Sequence, residues 1–266
     1  MSPSKQAPKI LYKYRAFNSY ALEMLAKNQI YFASPLDFND PFDCLAHEGV
    51  VEDFRRDIED IIATNATQQE LSSEQITAHL KKINENIEII QARTQTDADF
   101  QSSLDYIKND MGIVSLSSCN NSILMWAHYG DFHKGFCIGF KNNLGMPVGV
   151  VHKVSYSTSI NRNLLSQFFL NSGSEDQFLE EIQNVGILTK YHDWEYEKEW
   201  RIIGVKGVGT YDDSCIGEII FGLKMPQENR NILVSTLNGK KINYFEAVKS
   251  KSDFAIDIIP VANTNT

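Results

Sequence analysis

The sequence has no apolar run of the roughly 18–20 residues that a membrane helix needs, so no helical membrane span is expected. It has only four cysteines, Cys44, Cys119, Cys137 and Cys215. They are widely spaced with no CxxC pair, which argues against a disulfide scaffold and a cysteine-built zinc site. Positive charge is also short. Lys and Arg number 25 against 34 Asp and Glu, a net charge of −9, and duplex binding without a basic footprint is disfavoured. A P-loop, a nucleophile elbow and an HExxH pair are all missing, and Gly204, Gly207 and Gly209 lack dinucleotide-fingerprint spacing and read as a loop. Residues 1–8 carry no apolar h-region and read as a short leader without order, so reduced thiols in a cytoplasmic protein are expected.

What is present fits an ordinary globular chain. The 266 residues are 42% hydrophobic and 22% charged, enough for one large domain with a buried core. The charge is uneven. Between Val51 and Lys108 stand 12 acidic and 6 basic residues, so this stretch holds −6 of the −9. Its apolar spacing is helical: Phe54, Ile58 and Ile61, then Ile76, Leu80, Ile83, Ile87 and Ile90, then Phe100, Leu104, Ile107 and Met111. Ser72 and Gln75 have capping-box spacing. Residues 51–108 therefore read as a helical insertion. Around it, strands are predicted at 9–15, 30–34, 112–118, 135–140, 149–156, 199–205, 218–222, 242–246 and 254–259. Helices are predicted at 21–27, 123–129, 163–170, 175–190 and 229–237. Strands and helices mix without βαβ alternation, so the expected class is α+β: a mixed, mostly antiparallel sheet core within a single domain at 9–260, ending in a polar tail at 261–266.

Four segments carry chemistry. Ser34 to Asp43 holds two prolines, Asn39, Asp37, Asp40 and Asp43; it is either a rigid loop presenting Asn39, Asp40 and Asp43, or a turn whose Asn and Asp bond their own backbone. Met125 to His133 packs Trp126, His128, Tyr129, Asp131 and His133 into nine residues. His128 and His133 lack helical metal-ligand spacing, and pocket-wall histidines with Trp126 and Tyr129 as a stacking wall for a planar ligand fit better. Trp194 to Arg201 reads as an extended strand with Glu195, Glu197 and Glu199 on one face; three such carboxylates need cations, a solvated edge or a function. Tyr14-Arg15 ends the first predicted strand, where an Arg can fork onto a carboxylate or phosphate.

Taken together, Leu11-Tyr-Lys-Tyr-Arg15, Ile30-Tyr-Phe-Ala-Ser-Pro35 with Phe38-Asn-Asp-Pro-Phe-Asp43, Met125-Trp-Ala-His-Tyr-Gly-Asp131 and Tyr196-Glu-Lys-Glu-Trp-Arg201 resemble the bacterial domain-of-unknown-function family numbered 2971. A second resemblance is to the ADP-ribosyltransferase superfamily of Arg–Ser–Glu type, through Arg15, Ser115-Leu-Ser117 and Glu197-Lys-Glu199 in that order, with Leu116 where the family has Thr. This second resemblance implies an ADP-ribosyltransferase-like fold and an NAD-dependent enzyme, a bacterial toxin or phage-defence effector. Glu199 would stabilise an oxocarbenium-like state, Glu197 would activate the acceptor, and Arg15 beside Tyr14 would hold the cofactor. Ser115 or Ser117 would orient Arg15 or Glu199. Tyr31 or Tyr129 would stack on nicotinamide, within the wall of Trp126 and His128, and Asn39 and Asp40 would close the pocket.

Two other classes stay open. One is a non-catalytic ligand-sensing or protein-interaction module that holds a partner through the acidic insertion. The other is a metal-dependent hydrolase or nuclease using Asp40, Asp43, His128, His133 and Glu199. A nucleotide-like small molecule is the expected ligand; membrane and nucleic-acid partners are not expected.

Overall fold

The computed structural model describes residues 7–44, 72, 74–75, 77–78, 81, 85, 106–142, 150–158 and 186–261. The chain divides into two compact units, Met1–Ser34, Gly112–Val154 and Asp193–Thr266 forming the first, and Pro35–Met111 and Ser155–His192 the second. The predicted insertion at 51–108 thus belongs to the second unit.

The first unit is built on one eight-stranded sheet. Its strands are β1 (Ile10–Arg15), β3 (Met111–Ser117), β4 (Phe136–Lys141), β5 (Val151–Lys153), β8 (Glu199–Val205), β10 (Ile216–Phe221), β11 (Asn243–Lys249) and β12 (Ile256–Pro260). They run in the order β12-β11-β10-β4-β1-β3-β8-β5. β1 is antiparallel to β3 and β4, β4 to β10, β5 to β8 and β11 to β12, while β10 and β11 are parallel. The expected α+β class with a mostly antiparallel sheet is what the chain adopts. The parallel pair requires a crossover, which helix α3 (Gln227–Thr236) supplies. Helices α1 (Ser19–Ala26) and α2 (Ile123–His128) are capped by Asn18 and Ser122, whose side chains accept from the backbone N–H of Ala21 and Met125.

Strand alternation explains why both sheet faces are covered. Leu11, Val114, Leu116, Phe136, Ile138, Phe140, Trp200 and Ile202 fall in one apolar cluster, and Tyr14, Met125, Trp126, Cys137 and Ile220 in another. A separate ribbon pairs β2 (Gln29–Phe32) with β9 (Gly207–Thr210). Here the predicted loop at Gly207 and Gly209 is corrected, while Gly204 keeps its place in the strand predicted at 199–205. Gly204 lies in β8, and Gly207 and Gly209 lie in β9. A Cβ on Gly204 or Gly209 would stand 2.9 or 2.7 Å from the Phe32 ring, so these glycines make room for a core aromatic.

In the second unit β6 (Ser155–Ser157) and β7 (Thr189–Tyr191) pair in parallel. The predicted strand at 149–156 is therefore split at Val154, and the end of the predicted helix at 175–190 is extended instead. The capping box is present: Gln75 N donates to Ser72 Oγ at 3.3 Å and Ser72 N to Gln75 Oε1 at 2.9 Å. Most of the other helical positions predicted at 51–108, the helix at 163–170, residues 175–185 and the leader to residue 6 lie outside the described residues. No helix among those described is long and apolar enough to cross a membrane.

Burial pushes the Tyr14, Tyr12 and Tyr211 phenols and the Cys137 thiol up from their ordinary values. The folded state then keeps protons that the unfolded chain loses above about pH 9–10, so stability falls as pH rises there. Tyr211 packs edge-on against Phe140 at 5.3 Å, and its buried hydroxyl has no hydrogen-bond partner among the described residues. Tyr211→Phe is therefore expected to be neutral or stabilising by up to about 1 kcal/mol at pH 7. It should also flatten the alkaline fall by one group's worth, read as urea midpoints between pH 8 and pH 11.

Candidate functional site

The site begins with a turn that the sequence pattern misassigns. Residues 194–201 alternate like a strand, yet His192–Glu197 form a 3₁₀ helix and β8 starts only at Glu199. Lys198 between them takes a left-handed φ of 45°. The end of β3 stabilises this turn. Ser117 Oγ donates to the Glu197 carbonyl at 2.6 Å, and Ser118 N donates to the Lys198 carbonyl at 3.1 Å. Backbone capture from a neighbouring strand overrides the local alternation. Glu195, Glu197 and Glu199 therefore do not share a strand face. Glu195 is exposed, whereas Glu197 and Glu199 are buried.

Each buried carboxylate has a defined partner. Arg201 forks onto Glu199: Nε donates to Oε1 at 2.8 Å and an Nη to Oε2 at 3.1 Å, with both side chains buried. Alternation along β8 places these two on one side and core Trp200 and Ile202 on the other. Glu197 Oε1 accepts from the Tyr129 hydroxyl at 2.6 Å. Tyr129 follows α2, and next to it His128, Tyr196 and Trp194 form a ladder with ring centroids 6.3 and 6.0 Å apart.

Cations come from β1. Lys13 Nζ donates to the Ser115 carbonyl at 2.9 Å. Burial first and the Arg15 charge second lower the Lys13 ammonium to about 7, with Glu199 acting in the opposite sense. Burial also lowers the Arg15 guanidinium, with Tyr20 opposing. Among the described residues no carboxylate pairs with that guanidinium. Both side chains keep partial solvent access.

Lys13 lies within electrostatic reach of Arg15 and of Glu199, yet alternation sets Lys13 and Arg15 on the sheet face of Leu11 and Glu199 with Arg201 on the other, so Arg15 and Glu199 do not converge; Ser117 and Tyr129 both bind Glu197. Ser117 orients the Glu197 backbone, rather than Arg15 or Glu199, and Ser115 contributes its carbonyl to Lys13. Two aromatics assigned to a ligand are core instead. Tyr14 is buried, donates to the Cys119 carbonyl at 2.9 Å and packs edge-on to Trp126 at 5.0 Å. Trp126 is fully buried and donates to the Asn120 carbonyl at 2.9 Å. Their flat faces are taken up by packing. Tyr31 is exposed on the β2–β9 ribbon.

Asn39 and Asp40 belong to the second unit, where Asp40 Oδ1 accepts from Phe42 N at 2.9 Å in an Asx turn. Asp43 forms a buried ion pair with Lys190 at 3.4 Å. Among the described residues no group of three or more His, Cys, Asp or Glu side chains is placed to hold a metal ion.

Residues 125–202 match the model of a family described as "Protein of unknown function (DUF2971)". This stretch is similar to that family. The matched stretch contains α2 from Met125 onward, Tyr129, Glu197, Glu199 and Arg201, so both buried carboxylates and their side-chain partners lie inside it. Lys13, Arg15 and Ser117 lie outside the matched stretch. No curated protein and no solved structure matches the chain.

Two members of the site were not legible in the sequence. The sequence pattern marks Arg201 only as the end of a block, although an i, i+2 Glu–Arg pair on a strand is the signal for it. Lys13 sat in the first strand without a role; its spacing two residues before Arg15 is the available clue.

Proposed function

We propose that the first unit binds an anionic nucleotide and transfers ADP-ribose from NAD, acting in the cytoplasm as a toxin or phage-defence effector. One observation carries this reading. A desolvated cation, Lys13, lies within electrostatic reach of Arg15 beside it and of the buried Glu199 that Arg201 forks onto. Phosphate needs the first feature, and a developing oxocarbenium ion needs the second.

The chemistry assigns each group a task. Arg15 would take the phosphates. Arg201 keeps Glu199 ionised, so that carboxylate can stabilise positive charge as the ribose–nicotinamide bond breaks and its electron pair leaves with nicotinamide. Acceptor oxygen then bonds to the ribose carbon, and its proton passes to Glu197, which Tyr129 orients. With water as acceptor, the products are ADP-ribose, nicotinamide and a proton. No disulfide joins the four cysteines, which supports placement in a reducing compartment.

The test is nicotinamide release from NAD by the full chain. Glu199→Gln should lower turnover ten- to a hundredfold, about 1.4–2.7 kcal/mol, and Arg15→Gln should raise KM about tenfold. Wild-type protein that neither shifts in melting temperature with NAD nor releases nicotinamide overturns the reading. A shift without release points to the ligand-sensing module instead.

A further inference from the structure

Strand β9 is an open edge. Its one partner among the described strands is β2. Just past the ribbon, Tyr211 N donates to Asn28 O at 2.9 Å, so Gly209, two residues earlier in the same register, also faces β2. Val208 and Thr210 then turn their main-chain N–H and C=O groups away from β2. The far edge of β2 is already taken, because Ala33 and Ile113 exchange main-chain bonds at 3.0 and 2.8 Å. We propose that β9 pairs antiparallel with β9 of a second copy of this chain, about a twofold axis at Gly209. Nothing in this depends on the transferase reading.

The two edges of the large sheet are guarded. β12 carries Asp257 and ends in Pro260, and β5 is three residues long and ends in Lys153; such features oppose the addition of another strand. β9 reads Gly-Val-Gly-Thr and holds neither a charge nor a proline. Its exposure alternates. Lys206, Val208, Thr210 and Asp212 are exposed, and Gly207, Gly209 and Tyr211 are less so. Tyr31, the register partner of Val208, is exposed on the same face. An aromatic and a β-branched side chain therefore meet water beside an unpaired row of main-chain groups.

Charge identifies the occupant and fixes the register. Lys206 and Asp212 stand at equal distances along the chain on either side of Gly209, so a second copy running the other way offers the opposite charge at both ends. Outward residues can bond only outward residues, which restricts the axis to Val208, Gly209 or Thr210. An axis at Val208 sets Lys206 against Thr210, and one at Thr210 sets Val208 against Asp212. The axis at Gly209 sets Val208 against Thr210 and Lys206 against Asp212, and symmetry repeats both pairs. Asp212 Oδ1 accepts from Ser214 N at 2.8 Å, which leaves Oδ2 for the lysine. Gly209 brings no side chain to the axis, where the Cα atoms of such a pair approach to about 4.5 Å.

The two ribbons then join in the order β2-β9-β9-β2, with Tyr31 and Val208 of both copies on one face. Val208 and Thr210 exchange main-chain bonds across the axis in both directions. The contact area is small and exposed ion pairs are each worth little, so the dimer is weak, with a dissociation constant on the order of 10 μM. Reversing one charge turns both attractions into repulsions and should raise that constant about tenfold.

The experiment is analytical ultracentrifugation of the full chain from about 1 to about 300 μM. The expected result is a reversible monomer–dimer equilibrium in the wild type. Thr210→Pro deletes an outward N–H that β2 does not use, and should stay monomeric throughout. Lys206→Glu and Asp212→Lys should each weaken the dimer about tenfold. An equimolar mixture of these two should regain wild-type affinity, because each then offers the other the opposite charge at both ends. Wild type that stays monomeric at about 300 μM overturns the inference, and so does a dimer that Thr210→Pro leaves intact, whose interface lies elsewhere. Should Thr210→Pro not fold, as its melt would show, the charge exchange decides: a mixture no tighter than its components overturns the inference.

Discussion

Replacing Arg201 with methionine is expected to lower stability by about 3–5 kcal/mol. Arg201 is fully buried and Glu199 nearly so, at 0% and 3% side-chain exposure. The guanidinium occupies both carboxylate oxygens at 2.8 and 3.1 Å. Truncating one partner removes both bonds of the fork from a carboxylate in a site that water does not reach, and that lost pairing supplies most of the loss. The pair itself is a weaker stabiliser than this figure implies, because burying two ions carries its own desolvation penalty. The double variant Glu199→Leu with Arg201→Met should therefore recover most of what the single variant loses. Urea unfolding of the three proteins at pH 7 measures it. A loss below about 1 kcal/mol for Arg201→Met would mean that Glu199 is not held as an ion by this fork. The same fork matters for function, since it keeps Glu199 ionised for the proposed charge stabilisation.

Gly135→Ala is the second large effect, with an expected loss above about 3 kcal/mol. A Cβ at position 135 would stand 2.0 Å from the carbonyl oxygen of Arg15 and 3.0 Å from that of Gly130. Both are backbone atoms in ordered structure, so no rotamer change relieves the contact. Gly135 N donates to Gly130 O at 2.9 Å, and its own carbonyl accepts from Gly222 N at 2.9 Å. The preceding residues Asp131, Phe132 and His133 all have left-handed φ values of 48°, 52° and 70°, a conformation that already stores strain. The chain at this point has little room to adjust.

Gly239→Ala is the control. Gly239 has a φ of 86° with open space where a Cβ would go, so the change should lose only about 1 kcal/mol from backbone strain. A thermal or urea melt that ranks the two alike would contradict the packing described at Gly135. Because the clash falls on the Arg15 carbonyl, Gly135→Ala should also weaken ADP-ribose binding, whereas Gly239→Ala should not.

Much of the fold was legible because periodicity is a local property. The strands at 10–15, 111–117, 136–141, 199–205 and 216–221 follow from apolar runs or alternation bounded by turn formers. Asn18 and Ser122 cap the helices that follow them, as their side-chain chemistry requires. The Ser72–Gln75 capping box formed at the expected spacing. Glycine was harder. Gly209 looks like a loop residue, and only the position of the Phe32 ring shows why a strand carries it.

Residue types and their order along the chain were determined by the sequence alone: an Arg ending an early strand, serines in a later one, and a Glu-x-Glu beside an Arg. Which side chains meet was decided by the tertiary structure. Sheet order puts β3 between β1 and β8, so Ser117 reaches the Glu197 carbonyl across 80 residues of sequence and turns an apparent strand into a 3₁₀ helix. The same stacking drew Tyr14 and Trp126 into the core, although their sequence neighbourhood marked them as ligand contacts. It also gave Lys13 its meaning. A lysine in a strand is unremarkable by pattern. Its desolvation, its apolar β4 neighbours and its proximity to Glu199 exist only once distant strands are packed, because low dielectric and long-range charge are properties of the folded environment.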